Sequence, residues 1–162
     1  MHAPEQINPT RLADYLEVMS KAVFQSGMSW QVVEAKWDGF RTAFAAFDPA
    51  TVAAFSGDDV DRLSEDTLII RNRRKIEATI TNAETMLALD GGPGGFASWL
   101  RSQADFAATV AALRAEFRFL GDTGAYYFLY VVGEKVPPHE EWMKAHPPAA
   151  RGASAPRPAH NT

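Results

Sequence analysis

The chain has 162 residues, no cysteine and a formal net charge of −4, with 16 Lys and Arg against 20 Asp and Glu. This length suits one domain, and the lack of cysteine excludes disulfide scaffolds, thiolate zinc sites and cysteine nucleophiles. The sequence shows neither a signal-peptide pattern nor an apolar run that could span a bilayer, which predicts a soluble, cytoplasmic protein without membrane contact. The net negative charge argues against a protein that coats nucleic acid, because phosphate binding favours clustered cations.

Helical periodicity dominates the first part of the chain, and the alternation typical of strands is scarce. The apolar spacing predicts a helix over residues 10–25, which Gly27 ends. A second helix is predicted over residues 30–46, with Ser29 at its N-cap. Both segments carry an apolar stripe that must face a core.

Short helices and turns mark the middle of the chain. Asp48 followed by proline predicts the start of a short helix that reaches residue 55, and another short helix is predicted over residues 57–63. A long helix is predicted over residues 73–89. Residues 91–95, four of them glycine, must form a loop because they favour neither regular state.

The last third also favours helices. A short helix is predicted over residues 96–101, and Asp105 is a candidate N-cap for a helix that reaches residue 115. A tight turn is expected at residues 120–122, before an apolar helix that ends at Gly133. Residues 139–144 add a last helical turn.

The elements predict one helical domain over residues 1–145. Residues 146–162 are rich in Pro, Ala and Arg and bury too little apolar surface to order themselves, so a disordered tail is expected there. About eight short helices and one tight turn favour an all-α, orthogonal multi-helix domain over a four-helix bundle. Ligand sites in such domains usually lie in the grooves between crossing helices.

Four basic residues cluster at the start of the predicted long helix: Arg71, Arg73, Arg74 and Lys75. Positive charge at a helix N-terminus opposes the helix dipole, and a bound phosphate would relieve that mismatch. The alternative is a solvated helix start with no ligand.

Three segments of the chain carry motifs in a recognisable order. Residues 24–55 contain FQSGMSW and later FDP, where one family has Q-x-G-L-S-W and F-D-P. Residues 59–83 contain IIRNRRKI, where that family has I-I-R-x-R-x-K-I, and residues 117–128 begin with FRFLGDT, in the position of its hairpin. Over residues 10–133 the chain thus resembles the 3-methyladenine DNA glycosylase type I family of helix-hairpin-helix glycosylases.

This resemblance implies a helix-hairpin-helix fold and hydrolysis of the N-glycosidic bond of an alkylated purine, in the repair of damaged double-stranded DNA. Trp30 would stack on the extruded base, and the turn around Gly121 would offer backbone N–H groups to a phosphate. The residues implied for the base pocket are Trp30, Ala22, Gln25 and Tyr126. Those implied for DNA binding are Arg71, Arg73, Arg74, Lys75, Arg118, Phe119, Gly121 and Thr123.

The chain also departs from the family pattern, as a shortened member would. Ala22 stands where the family has its pocket glutamate, the zinc-ligand cysteines are missing, and the family's preceding segment has no counterpart. His139 falls near a zinc histidine of the family, yet one histidine without partners makes no site. We therefore expect neither a metal nor another cofactor, we expect a monomer, and the sequence assigns no catalytic residue.

Alternatives stay open at this stage. Ala22 favours a non-catalytic module that binds DNA or a protein partner, or an enzyme for another small substrate. Trp30 is equally consistent with a pocket and with core packing, whereas core packing is favoured for the tyrosines at positions 126, 127 and 130. Asp122 is consistent with a simple helix cap.

Overall fold

The computed structural model describes residues 3–146, and within that range the chain is helical with no strand. The all-α fold class expected from the sequence is confirmed. Residues 1–2 and 147–162 lie outside the described range, and with them nearly all of the predicted tail. The helices are α1 (Leu12–Gln25), α2 (Trp30–Ala35), α3 (Trp37–Ala43), α4 (Pro49–Ala53), α5 (Gly57–Leu63), α6 (Arg73–Asp90), α7 (Gly95–Arg101), α8 (Phe106–Glu116), α9 (Asp122–Val131) and α10 (His139–Ala145).

Helix starts follow the local sequence closely. Ser29, Asp48 and Asp105 each accept a hydrogen bond from a backbone N–H in the first turn of the helix that they precede. Asn72 does the same for α6, with its Oδ1 3.1 Å from the backbone nitrogen of Lys75. Each cap satisfies one of the amides that a helix leaves without an internal acceptor. The three caps expected from the sequence are confirmed.

The helix predicted over residues 30–46 is wrong in its continuity. It breaks at Lys36 into α2 and α3, and residues 45–47 then turn through the left-handed region with φ of 54°, 55° and 59°. A left-handed residue with a side chain costs roughly 1–2 kcal/mol. Tertiary packing offsets that cost, because the buried ring of Phe47 stacks on that of Trp37 with centroids 5.4 Å apart. The apolar periodicity carried no sign of this contact.

Helix α1 forms the centre of the core and packs against α6 and α9. Leu16, Met19, Val23 and Phe24 on α1 are fully buried. This packing brings together the C-terminal end of α1 and the N-terminal parts of α6 and α9. No helix in the described range has both the length and the apolar character needed to cross a membrane.

Candidate functional site

A groove of about 1100 Å³ opens between α6, the end of α8 and the turn that leads into α9. We call it the arginine groove, because three arginines lie in its lining. Its lining includes Ser26, Arg74, Glu77, Arg114, Arg118, Phe119 and Gly121.

The arginines of this region differ in how far their charge is already paired. Arg114 forms an ion pair with Asp122 at 2.8 Å, and Arg73 forms one with Asp61 at 2.9 Å. Arg74 and Arg118 are exposed and form no ion pair with any residue in the described range. Two cations of the groove are therefore available to an anionic ligand.

The turn before α9, residues 117–121, is tied to α6 by one side chain. The amide of Asn82, which is 1% exposed, accepts from the backbone N–H of Arg118 at 2.8 Å and donates to its carbonyl at 3.2 Å. Gly121 has a φ of −99°, and a Cβ built there meets nothing within 4 Å. Neither conformation nor packing demands glycine at this position, so its effect is to leave the backbone open to close approach.

The N-terminus of α9 lies beside this turn. No side chain caps the helix, and its first amides have no acceptor within the helix. They carry the positive end of the helix dipole, and this is an arrangement that suits a phosphate. The exposed Thr123 stands on this first turn of α9 and also borders a smaller cleft between α2, α9 and α10.

Lys75 is not part of the exposed basic cluster, and the structure corrects that assignment. It is 5% exposed, and its Nζ donates to the carbonyls of Phe24, at 3.2 Å, and Ser26. Burial lowers the pKa of this ammonium group to about 8. Successive residues of a helix point in directions about 100° apart, so Lys75 faces the core although Arg74 faces the groove.

A second, smaller cleft of about 130 Å³ lies between α2, α9 and α10. We call it the aromatic cleft. The rings that line it are those of Trp30, Tyr126, Tyr127, Tyr130, His139, Trp142 and His146. Trp30 is 37% exposed and packs edge-on against Tyr127, with ring centroids 5.1 Å apart. The indole is thus a wall of the cleft and not part of the sealed core.

Helix α10 supplies the opposite wall. Trp142 stacks on Tyr126 with centroids 4.4 Å apart, and His146 stacks on Trp142 at 4.0 Å. The hydroxyl of Tyr126 donates to the carbonyl of Pro137 at 2.7 Å, which fixes the segment that leads into α10. The structure therefore joins Trp30 and Tyr126, both expected in a pocket, with Trp142 and His146, which sequence reasoning missed.

Ala22 and Gln25 lie behind the cleft and do not line it. Ala22 is 3% exposed, and a Cβ built on Gly124 of α9 would lie 3.7 Å from the Cβ of Ala22. Gln25 is buried, and its Oε1 has no hydrogen-bond partner in the described range. Burial raises the pKa of the neighbouring Tyr127 to about 12, so this hydroxyl stays protonated at neutral pH.

The lining of the aromatic cleft includes no carboxylate among the described residues. Two acids near Tyr127 are engaged elsewhere: Glu34 pairs with Lys21, and Glu17 accepts from the Trp37 indole at 2.8 Å. Within residues 3–146 no three His, Asp or Glu side chains form a group that could hold a metal ion. The expected absence of zinc stays a prediction.

Comparison with known proteins places this geometry in a family. The methyladenine glycosylase family model matches residues 10–116. DNA-3-methyladenine glycosylase 1 of Escherichia coli (strain K12) is 32% identical in an alignment 130 positions long, which covers 67% of this chain and 70% of that protein. DNA-3-methyladenine glycosylase of Haemophilus influenzae (strain ATCC 51907 / DSM 11121 / KW20 / Rd) is 27% identical over the same shares.

Solved structures agree. A crystal structure of 3-methyladenine DNA glycosylase I aligns with a TM-score of 0.69 and 31% identity, over 78% of this chain and 81% of that one. The Staphylococcus aureus enzyme, solved for 3-methyladenine recognition, aligns with a TM-score of 0.69 over 80% of each chain. At 24% identity this second likeness shows the fold alone. The family match includes Trp30 and Arg74. Helix α10, and the turn that precedes α9, lie beyond it.

Proposed function

Because the chain belongs to the methyladenine glycosylase family, we propose that it hydrolyses the bond between an alkylated purine and its sugar in DNA base-excision repair. The observation that carries the proposal is the solvent-open indole of Trp30, which walls an aromatic cleft next to an arginine-lined groove. Double-stranded damaged DNA is the proposed partner of a monomeric, metal-free protein in the cytoplasm, with residues 1–145 as the working domain.

The aromatic cleft would receive the extruded base. An enzyme that acts on a base must take it out of the stack at a cost of a few kcal/mol, and stacking on an aromatic ring returns roughly 1–3 kcal/mol per base. A closed cavity of about 150 Å³ holds one benzene ring. The aromatic cleft, at about 130 Å³, is slightly smaller than that cavity, so a purine with its two fused rings would extend into the open mouth and a whole nucleotide would not fit.

The arginine groove would hold the phosphate backbone. Arg74 and Arg118 offer charge that no residue in positions 3–146 pairs, while Phe119, Gly121 and Thr123 belong to or adjoin the turn at the start of α9. Phosphate contacts fix the register of a duplex without reading its sequence. Arg71 and Arg73 are also exposed and are proposed as outer phosphate contacts. Arg73 would first have to break its ion pair with Asp61.

Met28 is a further candidate that sequence reasoning missed. It is 37% exposed on the turn between α1 and α2, two residues before Trp30. Apolar side chains that enter between base steps help to unstack them. Met28 would fill the space that the extruded base leaves. The signal in the sequence was an apolar residue directly after a turn glycine.

The chemistry places small demands on the protein. An adenine nucleotide alkylated at N3 carries a positive charge on its base, so when the bond to C1′ breaks the base leaves with the electron pair as a neutral molecule. Water forms the new bond to C1′ and releases its proton to solvent. The leaving group therefore needs no general acid, and the main task of the protein is to bind and orient the extruded nucleotide so that water can reach C1′. A cleft without a lining carboxylate is compatible with this reaction.

A second function, a non-catalytic module that binds damaged DNA, is favoured by Ala22 at the position of the family's glutamate and by the same lack of a lining carboxylate. The test compares methylated duplex with untreated duplex of the same sequence and counts abasic sites. Abasic sites on methylated DNA alone support the enzyme. Selective binding without abasic sites supports the module, and no binding to either duplex at low salt contradicts both.

A further inference from the structure

The turn between α1 and α2, residues 26–29, separates the two parts of the proposed site. Ser26 at its start lies in the lining of the arginine groove, and Trp30 directly after it walls the aromatic cleft. Gly27 within it has a φ of +72°, which favours glycine. The position of Trp30 relative to the groove therefore depends on how firmly this turn is held.

The carbonyls at the end of α1 are satisfied in an alternating pattern. Those of Val23 and Gln25 accept from backbone N–H groups of the turn, at 3.2 Å and 3.0 Å. Those of Phe24 and Ser26 accept from the Nζ of Lys75, which comes from α6. Helix α1 has no basic residue in its own last turn. Lys75 thus supplies the cation that the negative end of a helix dipole favours.

Keeping an ammonium group at this place is costly. Lys75 is buried, and it stands in the first turn of α6, where the helix dipole is also unfavourable to a cation. An apolar side chain would avoid this cost but would leave the carbonyls of Phe24 and Ser26 without their donor. The function of the buried ammonium group is therefore tied to these two carbonyls, and through them to the geometry of the turn.

We infer that Lys75 is a positioning residue, which fixes the α1–α2 turn so that a base from DNA held in the arginine groove meets the indole of Trp30. The inference rests on the proposed function and adds a link between its two parts. Lys75 touches neither phosphate nor base. Its role is to keep them in register, because a misplacement of about 1 Å at such a site can cost about a hundredfold in rate.

The first measurement needs no DNA. Hydrogen–deuterium exchange is followed in wild type, in Lys75→Met and in a matched control, Lys36→Met. Lys36 likewise donates to a backbone carbonyl, that of Thr67 at 3.1 Å, but it does not touch the α1–α2 turn. In Lys75→Met we expect faster exchange over residues 24–33 and unchanged exchange in α8, with a melting temperature near that of wild type. Lys36→Met should leave residues 24–29 as protected as in wild type.

The second measurement is the ratio of the dissociation constants for untreated and methylated duplex. Hydrogen bonds to a charged group are strong enough that their loss should lower this ratio by roughly tenfold in Lys75→Met. Affinity for untreated duplex should change by less than about threefold, since the arginines are untouched. Lys75→Gln, which keeps one donor, should fall between wild type and Lys75→Met.

The outcomes separate the two claims. Unchanged exchange over residues 24–33 in a folded Lys75→Met contradicts the inference, and so does an unchanged ratio. Loss of folding in both Lys75→Met and Lys75→Gln, with equal loss of both affinities, also contradicts it and makes Lys75 purely structural. A wild-type protein that does not distinguish the duplexes removes the proposed function, and the exchange data then still decide whether Lys75 holds the turn.

Discussion

The arginine groove and the aromatic cleft lie on either side of one turn, yet they are built from opposite kinds of residue. The groove is wide, about 1100 Å³, and carries unpaired guanidinium groups, while the cleft is about 130 Å³ and is walled by rings. Phosphate binding depends on charge and is insensitive to sequence, whereas stacking depends on a flat surface and on the exclusion of water. If the proposed function is right, general affinity and selection of a damaged base should reside in different residues and be separable by mutation.

The largest expected effect comes from restoring a carboxylate behind the cleft with Ala22→Glu. Ala22 is buried against α9, so an unpaired glutamate there should lower the free energy of unfolding by several kcal/mol. Burial raises the pKa of such a carboxyl, so the unfolded chain releases the proton first and the loss grows as pH rises above about 4. Denaturant melts at several pH values check this.

A gain of activity in Ala22→Glu without loss of stability would change the description of the aromatic cleft. A stable Ala22→Glu protein with increased excision from methylated DNA would show that the cleft extends to position 22. The cleft would then include an acid site that this chain has lost.

Lys75 gives the next largest effect, through pH. The folded protein releases this proton near pH 8, whereas the unfolded chain holds it to about pH 10.5. Between these values the unfolded chain binds more protons, so stability should rise with pH, by at most about 3 kcal/mol. Lys75→Met should lack this rise. Melts from pH 7 to 9 avoid most ionisation of Tyr127, whose pKa is about 10 in the unfolded chain and is raised to about 12 in the folded protein. A wild-type curve as flat as that of Lys75→Met would contradict the assignment.

The groove should respond to the loss of its unpaired cations. Arg74→Ala combined with Arg118→Ala should weaken binding to methylated and untreated duplex alike, by roughly 10–100-fold at low salt. The slope of log affinity against log salt should fall by about two, roughly one for each lost phosphate contact. Arg62→Ala is the matched control, because Arg62 is paired with Asp59 and lies outside the groove lining. A loss of affinity for methylated duplex alone would contradict the assignment of general affinity to the groove and of base selection to the cleft.

Local sequence predicted much of this molecule, and its failures are long-range. The caps at Ser29, Asp48 and Asp105 depend on neighbours within three residues, so composition alone indicated them. The burial of Lys75 depends on contacts 49 and 51 residues away along the chain. A run of basic residues shows how many cations there are and not which of them faces the core.

The same limit applies to the cleft. Trp30 and Tyr126 were expected in a pocket from the resemblance, and both line the aromatic cleft. Trp142 and His146 were invisible, because their stack on Tyr126 depends on where α10 docks. Whether a cleft is open depends on how such a helix docks, and the local sequence does not show this.

The smallest expected effect is that of a control substitution outside the linings of both the groove and the cleft. Ala46 has a φ of 55°, so Ala46→Gly removes left-handed strain and should raise stability by roughly 0.5–1 kcal/mol after the added entropy of the unfolded chain is subtracted. Neither affinity nor the ratio of the two dissociation constants should change. A change in either would mean that the groove and cleft depend on overall stability.

The most direct test of the central claim is that ratio, untreated over methylated duplex, in Trp30→Ala. Trp30 is partly exposed, so the variant should fold, and Val32→Ala, another exposed apolar residue on α2, is the matched control. We predict that the ratio falls by about tenfold or more while affinity for untreated duplex stays within about threefold, since only base stacking is lost. A ratio unchanged from wild type, or an equal loss on both duplexes, would contradict the assignment of base recognition to the aromatic cleft.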